Sequence, residues 1–261
     1  MSISAAERGN QDAQITTSRT QYRSRIYANY VDGREVALAP TSIEGLRLRA
    51  PYLEKLVREH FPADRDAEVL DLGCGHGALL HFAQQAGYRN LHGVDRSPQQ
   101  VAAAAALGIG GVVEGDLFEM LGSRAAGSVQ AVVTFDVIEH FTKDELVAFV
   151  DEVHRVLAPG GRWIIHAPNG ESPFGGRMLY WDFTHELCFT RTSIAQLLIS
   201  SGFSRVGCHE DVPVPHGLKS AARWLLWRMI RGLLLVYIAA ETGAFDRECI
   251  FSQNLLAVAT K

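Results

Sequence analysis

The sequence has few cysteines, and they are not spaced to act together. Cys74, Cys188, Cys208 and Cys249 are scattered along the 261 residues, with no C-x-x-C pair. This scatter argues against a zinc knuckle and against a disulfide framework. We therefore expect reduced thiols, as in a cytosolic protein.

Long apolar runs are also missing. A membrane span takes about 20 apolar residues, and the most apolar segment, residues 216–243, is interrupted by Arg223, Arg228 and Arg231. The first 20 residues are polar and lack the apolar core of a secretory signal. We predict a partly disordered N-terminal arm or lid over 1–40 and a cytoplasmic protein, with peripheral contact at the inner face of the membrane left open.

A surplus of basic residues is the third absence. The formal net charge is -4, whereas proteins that bind long nucleic acids usually carry a positive excess. No long nucleic acid is therefore expected as a partner, although a short RNA end is not excluded. With 47% hydrophobic and 21% charged residues, the composition is that of an ordinary globular chain.

Strand-like and helix-like segments alternate from about residue 65 onwards. Before them, residues 41–62 predict a capped amphipathic helix that Pro51 is placed to kink. The alternation predicts an α/β fold with a doubly wound, mostly parallel sheet. The strands are predicted at "AEVLDLG", "NLHGVD", "GVVEGD", "VQAVVTFD", "RWIIHAPN", "SRVGCHED" and "CIFSQNLLAVATK".

A glycine-rich turn follows the first predicted strand. Gly73, Gly75 and Ala78 satisfy the G-x-G-x-x-G/A form of a dinucleotide-binding turn, with Asp95 at the distance of a ribose-binding acid. This pattern alone leaves NAD open. Asp71 argues against NAD, because its negative charge would repel a pyrophosphate. The same charge suits the ammonium of a methionyl group.

Each of the first three strands is followed by an acidic residue. Asp71 follows the first, Asp95 the second and Asp116 the third. In an open α/β sheet these strand ends meet at one edge, where ligands bind. Asp95 is placed to accept from a ribose diol and Asp116 from an adenine amine. The pattern suits an adenosine joined to an amino acid.

The chain resembles the class I S-adenosylmethionine-dependent methyltransferases in "VLDLGCGHG", "GVDRSP", "EGDLF", "FDVIEHF" and "VLAPGGRWIIHAPN". The resemblance implies a Rossmann-like sheet of seven strands, the last antiparallel, with helices on both faces. It implies S-adenosylmethionine as cofactor, although helix–strand packing is an equal explanation for Gly77. The implied cofactor-binding residues are Asp71, Gly73, Cys74, Gly75, Gly77, Asp95, Arg96, Asp116, Leu117 and Asp136.

The acceptor side is predicted beyond the fourth strand, where Asp136, Glu139 and His140 lie. His185, from the insertion after the fifth strand, is expected to approach the same spot. These four residues are the catalytic candidates, because an alcohol acceptor must lose a proton to a base or a metal. Two carboxylates and two histidines also form a candidate site for Mg²⁺ or another divalent cation.

The D-x-x-E-H spacing is similar to two groups within the superfamily. These are the small-RNA 3′-terminal 2′-O-methyltransferases, where such residues hold magnesium, and the ubiquinone-pathway O-methyltransferases. Asp136 stands where those groups have glutamate, and its shorter reach weakens the case for metal binding by that residue. The alternative is that Glu139 and His140 only shape the pocket, or that His140 is a base without a metal.

Two insertions flank the predicted acceptor mouth within the domain over 41–261. The first, at about 170–191, carries Tyr180, Trp181 and Phe183, which suit either an acceptor wall or the core. The second, at about 212–243, predicts an amphipathic helix that contacts a membrane or lipid-linked substrate through 219–240, packs on the domain, or forms a homodimer interface. Of the residues ending the fifth strand, His166 is expected in the core and Asn169 at the pocket.

The sequence therefore predicts an O-methyltransferase of a hydroxylated small molecule, with a sugar, glycan or glycolipid as first choice. A quinone-type phenol and an RNA 3′ end, methylated at the 2′ oxygen, are the alternatives within that chemistry. An NAD-dependent oxidoreductase and a non-catalytic binding subunit are the weaker alternatives.

Overall fold

The computed structural model of the chain describes residues 39–261 continuously and, before them, residue 26 alone. The chain divides into two units, Met1–Ala39 and Pro40–Lys261, of which the second contains the sheet and the candidate site. The arm or lid predicted over 1–40 falls outside the described residues, apart from residues 26, 39 and 40.

One seven-stranded sheet forms the centre of the described part of the chain. Its strands are β1 (Val69–Leu72), β2 (Leu91–Asp95), β3 (Val112–Glu114), β4 (Val129–Phe135), β5 (Leu157–Pro168), β6 (Arg205–Glu210) and β7 (Asn254–Thr260). Their order is β3-β2-β1-β4-β5-β7-β6, with β7 antiparallel to both of its neighbours and the other pairs parallel. The predicted α/β fold with an antiparallel last strand is confirmed.

Helices cover the sheet, and several begin at residues whose side chains cap the backbone. Ser97 Oγ accepts from the N–H of Gln100 at 3.4 Å, and Thr142 forms a reciprocal capping box with Glu145. The helices are α1 (Ala50–His60), α2 (Ala78–Gln85), α3 (Pro98–Ala106), α4 (Leu117–Gly122), α5 (Lys143–Val156), α6 (Gly175–Leu179), α7 (Arg191–Ser200) and α8 (Leu218–Thr242).

The single helix predicted over 41–62 is instead two pieces. A 3-10 helix, Ile43–Leu48, precedes α1. Pro51 lies in the first turn of α1, where the missing N–H has no intrahelical partner to lose and the fixed φ suits the helix. The proline therefore marks a helix start and not a kink.

Two apolar layers hold the helices against opposite faces of the sheet. Leu70 and Leu72 of β1 join one layer and Val69 joins the other, as the alternation of side chains along a strand requires. Trp163 of β5 lies in the first layer and is fully buried, with Nε1 donating to the Thr134 hydroxyl at 3.0 Å. The strands whose ends form the site are thus packed on both faces of the sheet.

The carboxyl ends of six strands meet at one edge of the sheet. Because β7 is antiparallel to both β5 and β6, β6 runs in the same direction as β5. The strand order reverses at β1, which lies between β2 and β4. Such reversal points are where open α/β sheets bind ligands.

No helix among the described residues has the length and hydrophobicity to cross a bilayer.

Candidate active site

The glycine turn after β1 folds tightly against the start of the loop after β4. Gly73 has φ +77, and a Cβ there would lie 2.5 Å from Val137 Cγ2. The N–H groups of Gly73 and Cys74 both donate to the carbonyl of Val94, at 2.8 and 3.1 Å. The Cys74 side chain packs on β2, where its Sγ would lie 2.7 Å from a Cβ at Gly93. Burial raises the pKa of the Cys74 thiol.

Asp71 is a buried carboxylate with an oxygen that has no partner. It is 2% exposed, and its Oδ1 makes no hydrogen bond within the described residues. Burial, together with the nearby charge of Asp95, raises the pKa of Asp71 to about 7. A positively charged hydrogen-bond donor beside this oxygen would offset both the burial of the carboxylate and its repulsion by Asp95. The site therefore fits the ammonium group for which the sequence proposed it.

Asp95 ties the glycine turn to the end of β2. Its Oδ2 accepts from Gly75 N–H at 2.7 Å and its Oδ1 from Ser97 N–H at 2.8 Å. Burial raises the pKa of Asp95, and these two backbone donors oppose the rise. Each carboxylate oxygen has a second lone-pair direction, so a ribose diol is compatible with both bonds. Asp95 also has a role in holding the turn, which the sequence did not predict.

Asp116 lies at the N-terminal cap of α4. Its Oδ1 accepts from Phe118 N–H at 2.8 Å, and its Oδ2 pairs with Arg96 Nη2 at 2.9 Å. Leu117 is the first residue of the helix. Contacts of Asp116, Arg96 and Leu117 with adenine remain a prediction. They require the edge of the adenine ring to lie beside the Asp116–Arg96 ion pair.

Gly77 is closely packed. The sequence left cofactor binding and helix–strand packing as equal explanations for glycine at this position. Gly77 precedes α2 with φ +76, and a Cβ there would lie 2.9 Å from Cγ2 of both Ile109 and Val112. These contacts favour helix–strand packing as the reason for glycine at this position.

Glu139, His140 and His185 form the group that the sequence predicted beyond β4. Each residue offers one atom that could bind a metal ion, and these three atoms lie within 4.8 Å of one another. Glu139 is fully buried, and neither carboxylate oxygen accepts a hydrogen bond within the described residues. His185 Nε2 is 3.9 Å from Glu139 Oε1. Burial, and then the charge of Asp136, raise the pKa of Glu139 well above its usual range.

The hydrogen bonds of the two histidines assign their protons. His185 Nδ1 lies 2.9 Å from the Met178 carbonyl, which only accepts, so this nitrogen carries the proton. The Thr184 hydroxyl donates to Asp182 Oδ1 at 2.7 Å and therefore accepts from His140 Nδ1 at 2.8 Å. In the neutral ring of His140 this leaves the lone pair on Nε2. Burial and the neighbouring His185 lower the pKa of His140 to about 4, so it is neutral near pH 7.

Asp136 lies outside this group and pairs with a different histidine. Its Oδ1 is 2.6 Å from Nδ1 of His166, whose Nε2 is 3.4 Å from Asp211 Oδ2. Burial opposes the charge on His166, but the two carboxylates raise its pKa to about 10. The surrounding protein, although it leaves half of the Asp136 side chain accessible, likewise opposes ionisation of the carboxyl group, yet the charge of His166 holds the pKa of Asp136 below the usual value. The structure therefore separates Asp136 from the predicted metal ligands.

Asp136 also has a strained backbone. Its φ is +58, the only positive φ at a residue other than glycine within the described part of the chain. Half of its side chain is accessible, while His166 is 3% exposed and stacks on Phe135 with ring centroids 3.9 Å apart. The buried imidazolium thus holds the carboxylate at the end of β4, facing the site edge. His166 is in the core, as predicted, but as a charged partner.

The first insertion shields the histidines and exposes aromatic side chains. Tyr180, Trp181 and Phe183 are 84%, 63% and 81% exposed, which excludes the core for these three residues. Asn169 is fully buried, and its side-chain amide donates to the carbonyls of Ile250 and Ser252. The amide thus braces the segment before β7, which argues against the pocket role predicted for Asn169.

Three residues that the sequence analysis missed or underestimated orient the site: Thr184, Asp182 and Asp211. Thr184 precedes His185 directly, which is a local signal for a supporting role. Asp211 gave no such signal, because it reaches His166 only through the pairing of β6 with β7 and of β7 with β5.

Comparisons with known proteins gave matches to one family and to curated relatives. A family described as "Methyltransferase domain" matches residues 46–206. A probable S-adenosylmethionine-dependent methyltransferase of Mycolicibacterium smegmatis is 32% identical over 145 residues, 55% of this chain and 54% of that protein. Norajmaline N-methyltransferase of Rauvolfia serpentina is 30% identical over 141 residues, 52% of this chain and 45% of that protein. The chain thus spans about half the length of both curated relatives.

The fold has a close counterpart among solved structures. The crystal structure of a SAM-dependent methyltransferase from Archaeoglobus fulgidus matches with a TM-score of 0.62 and 18% identity, covering 91% of this chain and 99% of that one. At this identity the likeness concerns the fold.

Proposed function

We propose that the chain, which belongs to the methyltransferase domain family and has its fold, transfers a methyl group from S-adenosylmethionine to an oxygen atom of a hydroxylated small molecule. A sugar, glycan or glycolipid is the acceptor class we propose first. An amphiphilic acceptor suits the position of α8, which follows β6 at the same edge of the sheet as the site.

The observation that carries the proposal is the group of Glu139, His140 and His185. It brings together two imidazole rings and a buried carboxylate, and the carboxylate oxygens receive no donor within the described residues. Buried acceptors without a donor are costly unless a proton or a cation joins them. An acceptor hydroxyl group supplies such a proton.

In the proposed reaction, the acceptor oxygen attacks the methyl carbon in line with the sulfur. The new oxygen–carbon bond forms as the carbon–sulfur bond breaks, leaving S-adenosylhomocysteine and a methyl ether. The hydroxyl proton passes to Nε2 of His140 or His185, whose Nδ1 hydrogen bonds fix the ring orientation. Asp71, Asp95 and the turn through Gly73 and Gly75 hold the cofactor so that its methyl group faces this side.

The same three residues fit a divalent cation, which we propose as an aid to the reaction. A carboxylate and two imidazoles are suitable ligands for Mg²⁺ or, given two nitrogen donors, a softer divalent ion. When bound, such an ion would lower the pKa of the acceptor hydroxyl. Asp136 is left out of the ligand set because His166 holds its carboxylate.

Nitrogen methylation is the second candidate, because one relative is named norajmaline N-methyltransferase. The half-accessible carboxylate of Asp136 suits a cationic amine. A quinol or phenol and a 2′-hydroxyl of an RNA 3′ end remain further oxygen acceptors.

Transfer of a labelled methyl group to matched acceptors tests the proposal. Monosaccharides, glycolipids, catechols, a short RNA and primary amines are compared, with binding of S-adenosylhomocysteine and NADH measured by titration. We expect S-adenosylhomocysteine to bind, NADH not to bind, and label to enter hydroxyl groups. Label found only in amines contradicts oxygen methylation, and cofactor binding without any turnover favours the non-catalytic alternative.

The role of the cluster is tested with His185→Ala, and with Asp182→Asn as a test of how His140 is oriented. We expect His185→Ala to lower kcat about 10²–10⁴-fold while the Kd for S-adenosylhomocysteine is unchanged. Turnover of the wild type in excess chelator distinguishes a histidine base acting alone from assistance by a divalent cation. If the reaction requires a cation, the chelator should abolish turnover and leave cofactor binding unchanged. Full kcat in His185→Ala contradicts the assignment.

A further inference from the structure

Within the part of the chain that the structure describes, helix α8 is attached to the domain along one face only. Arg231 anchors it, with Nε 2.9 Å from Glu210 Oε2 at the end of β6 and Nη2 donating to the carbonyls of Arg247 and Cys249. Ser220 and Leu235 are its two buried residues. The helix has 25 residues and is therefore about 37 Å long.

The opposite face of α8 is a continuous apolar stripe. At 100° per residue its six large members fall within an arc of about 100°. They are Leu218, Leu225, Leu226, Met229, Leu233 and Val236, with exposures of 92%, 58%, 56%, 63%, 72% and 62%. A contiguous apolar surface of this kind on a folded domain usually marks an interaction site.

Basic residues border the stripe on both sides. Lys219 and Arg223 lie along one border and Arg228 along the other, while Glu241 is the single acidic residue of the helix. The chain as a whole has a net charge of -4, so this positive charge is a local feature. Long basic side chains beside an apolar stripe can extend toward phosphate headgroups while their stems cover apolar surface.

We propose that the apolar stripe of α8 docks on the surface of an anionic lipid bilayer, with Lys219, Arg223 and Arg228 against the headgroup phosphates. This arrangement is typical of helices that lie in the plane of a membrane interface. A second copy of the chain is a poorer partner, because it would bring the same three cations and only Glu241 to balance them.

The position of α8 connects this surface to the site. The helix follows Glu210, which ends β6 at the edge where β4 and β5 also end. Asp211, next in sequence, contacts His166, which in turn holds Asp136. A bilayer docked on α8 thus lies at the site edge of the sheet, where a membrane-borne acceptor can enter.

Co-sedimentation of the full chain with vesicles tests the docking. Vesicles of equal parts phosphatidylglycerol and phosphatidylcholine are compared with phosphatidylcholine alone, at low and high salt. We expect binding to the anionic vesicles that weakens as salt rises. Replacing both Arg223 and Arg228 by Gln should lower the partition coefficient on the order of 30-fold, and replacing Met229 and Leu233 by Gln should lower it at least about tenfold.

Two controls keep the test specific. Arg58→Gln removes an exposed cation on α1, and Val147→Gln removes an exposed apolar side chain on α5; neither should change the partition coefficient. The docking variants should keep wild-type affinity for S-adenosylhomocysteine, so their failure to bind vesicles is separable from any failure of the proposed reaction. Absence of vesicle binding, or equal binding by the docking variants, overturns the proposal. The proposal is also overturned if the chain does not bind vesicles but forms a concentration-dependent dimer that the Met229 and Leu233 replacements abolish.

Discussion

Buried carboxylate oxygens that receive no hydrogen bond from the described residues, one at Asp71 and both at Glu139, are the strongest signs of ligand binding at the scale of single residues. The pKa of each of the two carboxyl groups is raised first of all by burial. A protein keeps such groups at a cost to its stability unless a ligand compensates them. Asp71 faces the proposed methionyl ammonium, and Glu139 faces the proposed acceptor.

Asp71 predicts that cofactor binding releases a proton near pH 7. Its pKa of about 7 leaves it partly protonated, and an ammonium group beside it favours the ionised form. We expect S-adenosylhomocysteine binding at pH 7 to release about half a proton, and its affinity to fall up to about tenfold per pH unit below 7. Calorimetry in buffers of different ionisation enthalpy measures this release. Asp71→Asn should abolish it, Asp66→Asn should not, and an unchanged release in Asp71→Asn contradicts the assignment.

His166 predicts a pH-dependent contribution to stability. Its pKa is raised to about 10, so its contribution is complete below the unfolded pKa of about 6.5 and is lost as pH rises toward 10. The lowered pKa of Asp136 adds a contribution present above about pH 4 and lost on further acidification. His166→Gln should therefore cost about 3 kcal/mol between pH 4 and 6.5 and less toward pH 10. Urea unfolding at several pH values checks this; a pH-independent loss would mean that packing alone is removed.

At the scale of elements, the turn between β1 and α2 shows how a glycine pattern can serve two purposes. The sequence could not separate cofactor approach from packing at Gly77, since both require glycine. The Cβ distances of 2.9 Å to Ile109 and Val112 favour packing.

Gly77→Ala is therefore expected to destabilise the fold by about 2–4 kcal/mol, from the positive φ and the two contacts together. Gly108→Ala is the matched control, because Gly108 has φ +70 but no atom within 4 Å of its Cβ position. The control should lose only about 1–2 kcal/mol, as measured by urea unfolding. The Kd for S-adenosylhomocysteine should be unchanged in both folded variants. Weaker binding in Gly77→Ala alone would restore the cofactor role.

At the scale of the whole molecule, the site and the apolar stripe of α8 belong to the same edge of one sheet. β1 and β4 place the glycine turn and Glu139, while β6 leads into α8. We propose that this one surface serves both for catalysis and for meeting a membrane-borne acceptor. The net charge of -4 conceals this local basic surface.

The sequence by itself determined the fold class, the strand succession and the position of the glycine turn after β1. These depend on local patterns: apolar strands, capped helices, and glycines at fixed spacing with an acid at the end of each of the first three strands. Hydrophobic periodicity and turn chemistry act over a few residues, so they can be read without knowing what lies across the sheet.

Only the tertiary structure decided which side chains meet. Asp136 was grouped with Glu139 by spacing, but the structure pairs it with His166, whose other ring nitrogen lies beside Asp211. Likewise, the sequence showed that the segment of α8 is amphipathic, and only packing showed that Arg231 faces the protein while the apolar stripe faces outward. Partners far apart in the chain are chosen by sheet register and helix docking, and these depend on the packing of the whole core.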